Sequence, residues 1–420
     1  MTLPKPAKIL TLSCLLLAAA AGCERRAILE NEVEPASIVA QLGRADSPEA
    51  ALSLLDALSA FRPIAGRAPD APWMAGIRGF LAAEDPVIAA KTADLLARWG
   101  DRAATATLVS LMTAGDPMIR LSAASSLQKL ADPHSFQALL RATRDENGAV
   151  RTAAAEALGA VAGVSDDREQ ILGSLRGLTA DPDGAVRAGA TRALGVAGSA
   201  SELPVLIALL EDRETGVVTA AAGALGRIGG RRAVPALIAL LAEGAQESRR
   251  AAAISLGFTG DARAVAPLVR ALRDEDRGVR LVALKALGLL GDPAAIPGIL
   301  DLARSLDVAL AYHLPAALVR VYRPGALARF EASLTDPNGF VRQAICVALG
   351  QSGDRRAALS LIHALQDPEP GVRGAAANAL SLIGAPAGLR PLQILLQTET
   401  DRKVLLQARH AIIRLMFPVL

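Results

Sequence analysis

The sequence predicts an all-α protein, built as an α-solenoid of about eleven helical hairpins that are each 31 residues long. A leucine recurs at this interval, and Ile412 takes the same position in the last unit: Leu96, Leu127, Leu158, Leu194, Leu225, Leu256, Leu287, Leu318, Leu349 and Leu380. Eight of the ten intervals are 31 residues, one is 36 and one is 32. A fixed period in this range is typical of repeats that stack on their neighbours rather than of a compact globule.

The composition agrees with closely packed helices. Hydrophobic residues make up 52% of the chain but aromatic residues only 3%, so the core must consist mainly of alanine and leucine, which are strong helix formers. Runs of β-branched and aromatic residues are short and do not alternate, which argues against strands. Without Lys5 and Lys8, which lie in a segment that we expect to be removed, 43 basic residues face 42 acidic ones. This balance gives no support for a nucleic-acid-binding surface.

One unit, residues 203–229, shows how each repeat is built. Pro204 stands where a helix can begin, because its missing N–H costs nothing in the first turn. Leu203, Leu206 and Leu210 follow at helical spacing, and a second helix ends at Gly229. The turns between the two helices repeat an Asp-Pro pair that we expect to provide an N-cap and a first helical residue: Asp85-Pro86, Asp116-Pro117, Asp181-Pro182, Asp336-Pro337 and Asp367-Pro368.

An arginine precedes the recurring leucine by seven residues in many units: Arg120, Arg151, Arg187, Arg249, Arg280, Arg342 and Arg373. Segments such as Asp181-Pro-Asp-Gly-Ala-Val-Arg187, followed by Ala190, Ala193, Leu194 and Gly195, resemble HEAT repeats, specifically the short bilin-lyase-type repeat. The resemblance covers about residues 70–420. It implies a superhelix whose second helices line the concave side, and an arginine that pairs with a turn aspartate. We therefore interpret these arginines as a structural ladder rather than as a phosphate-binding stripe.

The N-terminus is typical of an exported protein. Lys5 and Lys8 precede an apolar run from Ile9 to Ala21, which is too short to span a bilayer but suits a signal peptide. The sequence Ala20-Ala21-Gly22-Cys23 resembles the lipobox of bacterial lipoproteins, which implies cleavage after residue 22 and lipidation of Cys23. The alternative is an ordinary secretory signal in which Cys23 is incidental. Glu24, in place of the Asp that retains enterobacterial lipoproteins in the inner membrane, favours the outer membrane, with the protein facing the periplasm.

Motifs for catalysis are missing from the sequence. It has no P-loop, no Gly-x-Ser-x-Gly, no Cys-x-x-Cys and no His-Glu-x-x-His, and its four histidines are scattered over different repeats. We therefore expect no metal, no cofactor, no small-molecule substrate and no enzymatic activity. Cys346, on an apolar helix, is expected to be a buried and inert thiol. Because bilin lyases share this repeat type, the competing hypothesis is an enzyme or accessory subunit of cofactor attachment.

A partner-binding surface is predicted on the second helices. Positions one, five and nine after the arginine position form one stripe. In the middle of the chain this stripe carries apolar, aromatic and cationic residues, a composition typical of binding hot spots. We predict that partners contact this region through Arg250, Phe258, Lys285, Tyr312 and Arg320. The alternative for Phe258 is that it packs between repeats.

Two irregularities interrupt the repeat. The unit around Ala311 lacks the Asp-Pro turn, has alanine in place of arginine, and contains Pro315, which we expect to kink its second helix. This departure marks either a functional site or neutral drift. The longest interval places five extra residues near 163–169, predicted to form a polar loop between repeats.

The sequence therefore predicts a signal peptide at 1–22, a lipid-anchored tether at 23–36, capping helices at 37–81 and a repeat solenoid at 82–420. Its predicted function is a membrane-anchored, non-catalytic scaffold that binds protein partners.

Overall fold

The computed structural model describes residues 35–61, 71–198, 200–304, 310 and 312–417. The signal peptide, Cys23 and most of the expected tether lie outside these residues, as does Ala311. The chain divides into two compact units, residues 1–139 and 140–420, which we describe separately.

The described residues form α-helices joined by short turns and contain no strand. The first unit contains α1 to α6, with bounds Pro35–Leu42, Pro48–Ser59, Met74–Gly79, Pro86–Arg98, Thr105–Leu111 and Pro117–Leu130. Helix α7, Phe136–Ala142, crosses the boundary. The second unit continues with α8 to α24: Gly148–Val161, Arg168–Leu178, Gly184–Ala197, Leu203–Ala208, Thr215–Ile228, Gly230–Glu243, Gln246–Phe258, Val265–Ala271, Arg277–Leu290, Ile296–Arg304, Leu314–Val321, Leu327–Ser333, Gly339–Ser352, Ala358–Ala364, Pro370–Leu382, Leu389–Thr398 and Arg402–Met416.

From α3 onwards the helices alternate as the first and second helix of successive hairpins. In the second unit each even-numbered helix packs on the even-numbered helices before and after it, so these second helices form one continuous layer. The recurring leucines, from Leu96 to Leu380, all have no exposed surface. Alanines on the same helices fill most of the remaining core, which explains how a chain with so few aromatic residues excludes water. The predicted all-α solenoid of stacked helical hairpins is confirmed.

Close approach of the second helices depends on a glycine directly after the recurring leucine. A Cβ atom added at Gly159 would lie 2.8 Å from the Cα of Ala193 on the next second helix. The same contact recurs along the second unit at Gly195, Gly226, Gly257 and Gly350. Because real Cβ atoms are not found this close to other backbone atoms, the spacing of the layer requires glycine at these positions.

An aromatic cluster joins the helices at the start of the first unit. Phe61, Trp73 and Trp99 meet edge to face in pairs, with ring centroids 5.9 to 6.1 Å apart. The Trp99 indole Nε1 donates to the Phe61 carbonyl oxygen at 3.2 Å. This arrangement satisfies the polar atom of the buried Trp99 and fixes α4 against the segments that follow α2 and precede α3.

The turn aspartates differ in part from the expectation. Asp85 and Asp116 are N-caps followed by proline, as predicted. The prediction is wrong for Asp181, Asp336 and Asp367, because the helices there begin two residues later. Their N-cap residues are instead Asp183, Asn338 and Glu369. In each case the aspartate lies two residues before the observed N-cap residue and accepts its N–H at 2.9 Å.

The irregular repeat also departs from the expectation. Pro315 lies in the first turn of α18, which begins at Leu314, so it helps to begin the helix and does not kink it. The five-residue insertion connects α8 to α9 over residues 162–167, where the Ser165 hydroxyl accepts the Asp167 N–H at 3.1 Å. Arg168, at the start of α9, donates to the Ala197 carbonyl at 2.6 Å and so caps the end of α10.

Candidate partner-binding surface

The second helices of the second unit expose one continuous stripe of side chains. No residue that lies five or nine positions after the arginine position is buried on these helices. Residues between these positions turn inward and pack on the neighbouring hairpins. The helical period thus places positions five and nine on one exposed face of the layer, as the spacing predicts, whereas position one is buried at Ala188 and Gly374.

The middle of this stripe is the most apolar. Phe258 is 66% exposed and Tyr312 is 85% exposed, and Ile254 and Leu289 are each 46% exposed. Phe258 therefore does not pack between repeats. Two exposed cations lie close by in the sequence. Lys285 is on α16, which also carries Leu289, and Arg320 is on α18, which begins two residues after Tyr312. We call the set of Ile254, Phe258, Lys285, Leu289, Tyr312 and Arg320 the middle patch. Exposed aromatic side chains beside cations are frequent in protein-binding surfaces.

Arg250 occupies a different position from the one expected for a partner contact. Its guanidinium makes two hydrogen bonds to the Asp276 carboxylate, Nε to Oδ1 at 2.8 Å and Nη2 to Oδ2 at 2.9 Å. It also lies against Gly278, where a Cβ atom would clash with it. Arg250 thus connects α14 to the turn before α16. Because it is paired with Asp276, we do not include it in the middle patch.

The recurring arginines connect consecutive turns. Arg187 is representative: its Nη1 donates to the Asp181 and Pro182 carbonyls of its own turn at 3.0 and 3.3 Å. Its Nε and Nη2 each donate to the Asp212 carboxylate of the next turn at 2.8 Å. Equivalent pairs join Arg151 to Asp181, Arg249 to Asp274, Arg342 to Asp367 and Arg373 to Glu399. Arg120 and Arg280 make the same contacts to carbonyls of their own turns.

These pairs keep their carboxylates charged. The Arg187 guanidinium holds the pKa of Asp212 below its usual range. The Arg373 guanidinium lowers the pKa of Glu399 to about 2. Each turn carboxylate is therefore a permanent acceptor at neutral pH, which suits a role in stacking and leaves it unsuited to proton transfer.

In the irregular repeat a different arginine takes over this role. Arg304, at the end of the first helix α17, donates through Nε to Asp336 Oδ2 at 3.1 Å. Its Nη2 binds the same carboxylate oxygen. The two tyrosines of this repeat also separate: Tyr322 is buried, and its hydroxyl donates to Asp354 Oδ2 at 2.6 Å, whereas Tyr312 is exposed. Burial raises the pKa of Tyr322 to about 12. The repeat therefore keeps its connection to the next turn and leaves Tyr312 available.

A groove that sequence reasoning missed lies further along the same stripe. Helices α20, α22 and α24 line a cavity of about 560 Å³. Its walls include Gln343 and Gln351 of α20, Asn378 of α22 and Gln407 of α24. Three of these fall at the stripe positions one, five and nine, so the pattern of amides at these positions was the signal for this groove.

The described part of the chain offers no set of candidate metal ligands and no exposed cysteine. No cluster of three or more His, Cys, Asp or Glu side chains there has the geometry of a metal site. Cys346 is fully buried, and burial raises the pKa of its thiol to about 12. Among the described helices, none combines the length and the apolar character required to cross a membrane.

Helical hairpins of constant length, stacked through small residues and connected by arginine–carboxylate pairs, define a helical-repeat protein of the solenoid class. The family model for HEAT repeats matches residues 76–159, 173–255, 243–312 and 317–413. The chain belongs to the HEAT-repeat family. Among the curated proteins, none matches its sequence.

Solved structures with a similar fold include Kap95p, whose binding induces the switch loops of RanGDP to adopt the GTP-bound conformation. That likeness has a TM-score of 0.55 at 13% identity, over 98% of this chain and 65% of that chain. It shows the fold alone. The CpcE–CpcF complex of phycocyanin lyase from Nostoc sp. PCC7120 matches with a TM-score of 0.29 at 24% identity, over 51% of this chain and 94% of that chain. An engineered protein matches with a TM-score of 0.36 at 20% identity, over 91% of this chain and 99% of that chain. The two lower scores carry no argument about function.

Proposed function

We propose that this protein is a membrane-anchored, non-catalytic scaffold that binds protein partners through the exposed stripe of its HEAT-repeat solenoid. The observation that carries the proposal is the middle patch, in which Phe258, at the end of α14, and Tyr312, two residues before α18, are both more than half exposed. Large aromatic side chains contribute strongly to binding when a partner covers them, and exposing them to water without such a role is unfavourable. HEAT-repeat solenoids are suited to protein binding because they present a long surface.

The anchoring part of the proposal rests on the N-terminal sequence. A basic start, an apolar run and the Gly22-Cys23 pair support export and lipidation of Cys23. A lipidated protein with two or more acyl chains would remain stably at the membrane, facing the periplasm, with the outer membrane favoured. Metabolic labelling with a fatty acid tests this directly. Wild-type protein should be labelled and Cys23→Ser should not, and equal labelling of both would refute the anchor.

The non-catalytic part is supported by the state of the reactive groups. The Asp212 and Glu399 carboxylates, whose pKa values are lowered, are bound by arginines of the preceding repeat, and the Cys346 thiol is buried. A chromophore that purified with the protein would instead support the competing role in bilin or cofactor attachment.

Affinity capture from a membrane extract tests the binding surface. The test variant is Phe258→Ala, Lys285→Ala and Tyr312→Ala combined. The matched control is Leu359→Ala, because Leu359 is 70% exposed but lies on α21, a first helix outside the stripe. We expect the triple variant to lose the proteins that co-purify with wild type by at least about 10-fold, since one interface hot spot contributes about 2 kcal/mol. Equal capture by the triple variant and wild type would refute the assignment of the middle patch.

A further inference from the structure

The groove on α20, α22 and α24 has an unusual lining of neutral amides. Gln343, Asn378 and Gln407 are half-buried, and Gln351 is exposed. Within the part of the chain that the structure describes, none of these four side-chain amides makes a hydrogen bond to another residue. An amide held in a groove without a protein partner has both a donor and an acceptor available for a ligand.

Two glycines on α22 make room for these amides. A Cβ atom at Gly371 would lie 2.9 Å from the Gln343 Oε1, and a Cβ atom at Gly374 would overlap the Gln407 Oε1. The amides of the preceding and the following helix therefore both lie across the first turns of α22. Their convergence depends on small residues at two positions, so it is a property of this groove and not of every repeat.

The groove also has an unbalanced charge. Lys403 and Arg414 of α24 line it, both are exposed, and neither forms an ion pair with any described residue. Asp401 is the acidic residue of the lining, and its Oδ1 caps α24 by accepting the N–H groups of Lys403 and Val404. The lining therefore carries two positive charges and one negative charge, and this positive balance complements a carboxylate.

The combination of unpaired amides and positive charge in the groove suits an extended polypeptide as its ligand. Each peptide unit offers one N–H and one C=O, which an amide side chain can bind at the same time. Stacked helices lie about 8–10 Å apart, so a groove across three of them spans roughly 20 Å. That distance corresponds to about six residues of extended chain. The apolar lining residues Val347 and Leu382 provide contacts for side chains, and the absence of an aromatic lining residue disfavours stacked nucleic-acid bases.

We propose that this amide-lined groove binds an extended, acidic peptide segment of a partner protein, mainly through the peptide main chain. The inference deepens the proposed scaffold function and rests on it. Gln343, Asn378 and Gln407 hold the main chain, and Lys403 and Arg414 bind acidic side chains of the segment.

Three fluorescent hexapeptides test the proposal by fluorescence polarisation with the full chain. The first alternates valine and glutamate. The second has the same sequence with alternate backbone nitrogens methylated, which removes main-chain donors but keeps the charge. The third replaces glutamate with lysine. We expect the first to bind, the second to bind at least about 10-fold more weakly, because two hydrogen bonds are lost, and the third not to bind.

Protein variants separate the two contributions. Gln343→Leu with Gln407→Leu should weaken binding of the first peptide at least about 10-fold, and Lys403→Gln with Arg414→Gln should remove its salt dependence. The matched control is Gln393→Leu with Gln397→Leu, two exposed amides on the first helix α23, which should bind as wild type does. Equal binding of the methylated peptide, unchanged binding by the Gln343 and Gln407 double variant, or no binding of the first peptide at 1 mM (about −4 kcal/mol) would each overturn the proposal.

The outcomes also separate this inference from the scaffold function. If the peptides do not bind but capture still depends on the middle patch, the groove assignment alone fails. If the full chain captures no partner protein, the scaffold function fails, and with it the inference.

Discussion

Two glycines in one helix give the sharpest test of how the second helices pack. Gly226 and Gly223 both lie in α12, three residues apart. A Cβ atom at Gly226 would meet the Ser255 Cβ at 2.8 Å and its Cα at 2.9 Å on the next second helix. A Cβ atom at Gly223 would have no neighbour within 4 Å. Substitution by alanine therefore changes the same backbone in the same way but creates a clash at only one site.

The expected magnitudes follow from two opposing effects. Alanine in a helix interior is favoured over glycine by about 1 kcal/mol, so Gly223→Ala should stabilise the protein by roughly that amount. At Gly226 the same gain is opposed by overpacking, which costs about 1–3 kcal/mol because backbone atoms of α14 must move. We expect the free energy of unfolding of Gly226→Ala to lie about 1–3 kcal/mol below that of Gly223→Ala.

Urea unfolding followed by far-UV circular dichroism measures this difference. Because both variants gain the same helix propensity, the difference between them isolates the contact with Ser255. If both variants are stabilised equally, the second helices are further apart than the structure places them, and the requirement for glycine after the recurring leucine is wrong.

Three further predictions concern the ladder and the buried thiol. Arg342→Gln should destabilise the protein by about 3 kcal/mol in urea unfolding, because it leaves the Asp367 carboxylate nearly buried without its partner. The double variant with Asp367→Asn should recover more than half of this loss, and simple additivity would contradict the explanation. Since the pKa of Glu399 is lowered to about 2, its stabilising effect is complete above the unfolded value of about 4.5 and is lost as the pH falls toward 2. Stability should therefore fall in this window, and less steeply in Arg373→Gln; parallel pH profiles would contradict the pairing. Cys346 should resist iodoacetamide at pH 8 in the native protein and react after denaturation, as measured by peptide mass spectrometry; labelling of the folded protein would show that the helix layer opens.

The repeat period gave the correct architecture because the energetics of stacking are local. Each hairpin buries its recurring leucine against its immediate neighbours. The spacing of Leu194 and Leu225 is therefore enough to predict which residues of each hairpin are buried. The same locality allowed the exposed stripe to be placed from helical spacing alone. Phe258 is exposed because its position on α14 faces away from both neighbouring second helices.

The details that sequence reasoning got wrong depend on competition between neighbouring turns. An Asp-Pro pair can cap a helix, and Asp85 does so. At Asp181 the carboxylate is instead bound by Arg151 of the preceding repeat, and Asp183 takes over the cap. Propensity identifies both roles but does not decide between them, since the decision depends on whether an arginine from another hairpin reaches the turn.

The amide-lined groove could not have been predicted from the spacing of residues, for a related reason. Gln343 and Gln407 belong to different hairpins, and their approach to α22 depends on Gly371 and Gly374, whose significance is visible only once the helices are stacked. Arg304 shows the same limit: its position on a first helix lies outside the repeat pattern, yet it reaches Asp336.

The arginine ladder also has a mechanical consequence. The links run from Arg151 through Asp181 and Arg187 to Asp212, and begin again at Arg249. The repeat between them has Val218, a buried apolar residue, where the repeats on either side have Arg187 and Arg249. Under a pulling force along the second unit, the described helices should therefore separate first beside α12, because no arginine–carboxylate pair among the described residues resists the sliding of one turn past the next at that point.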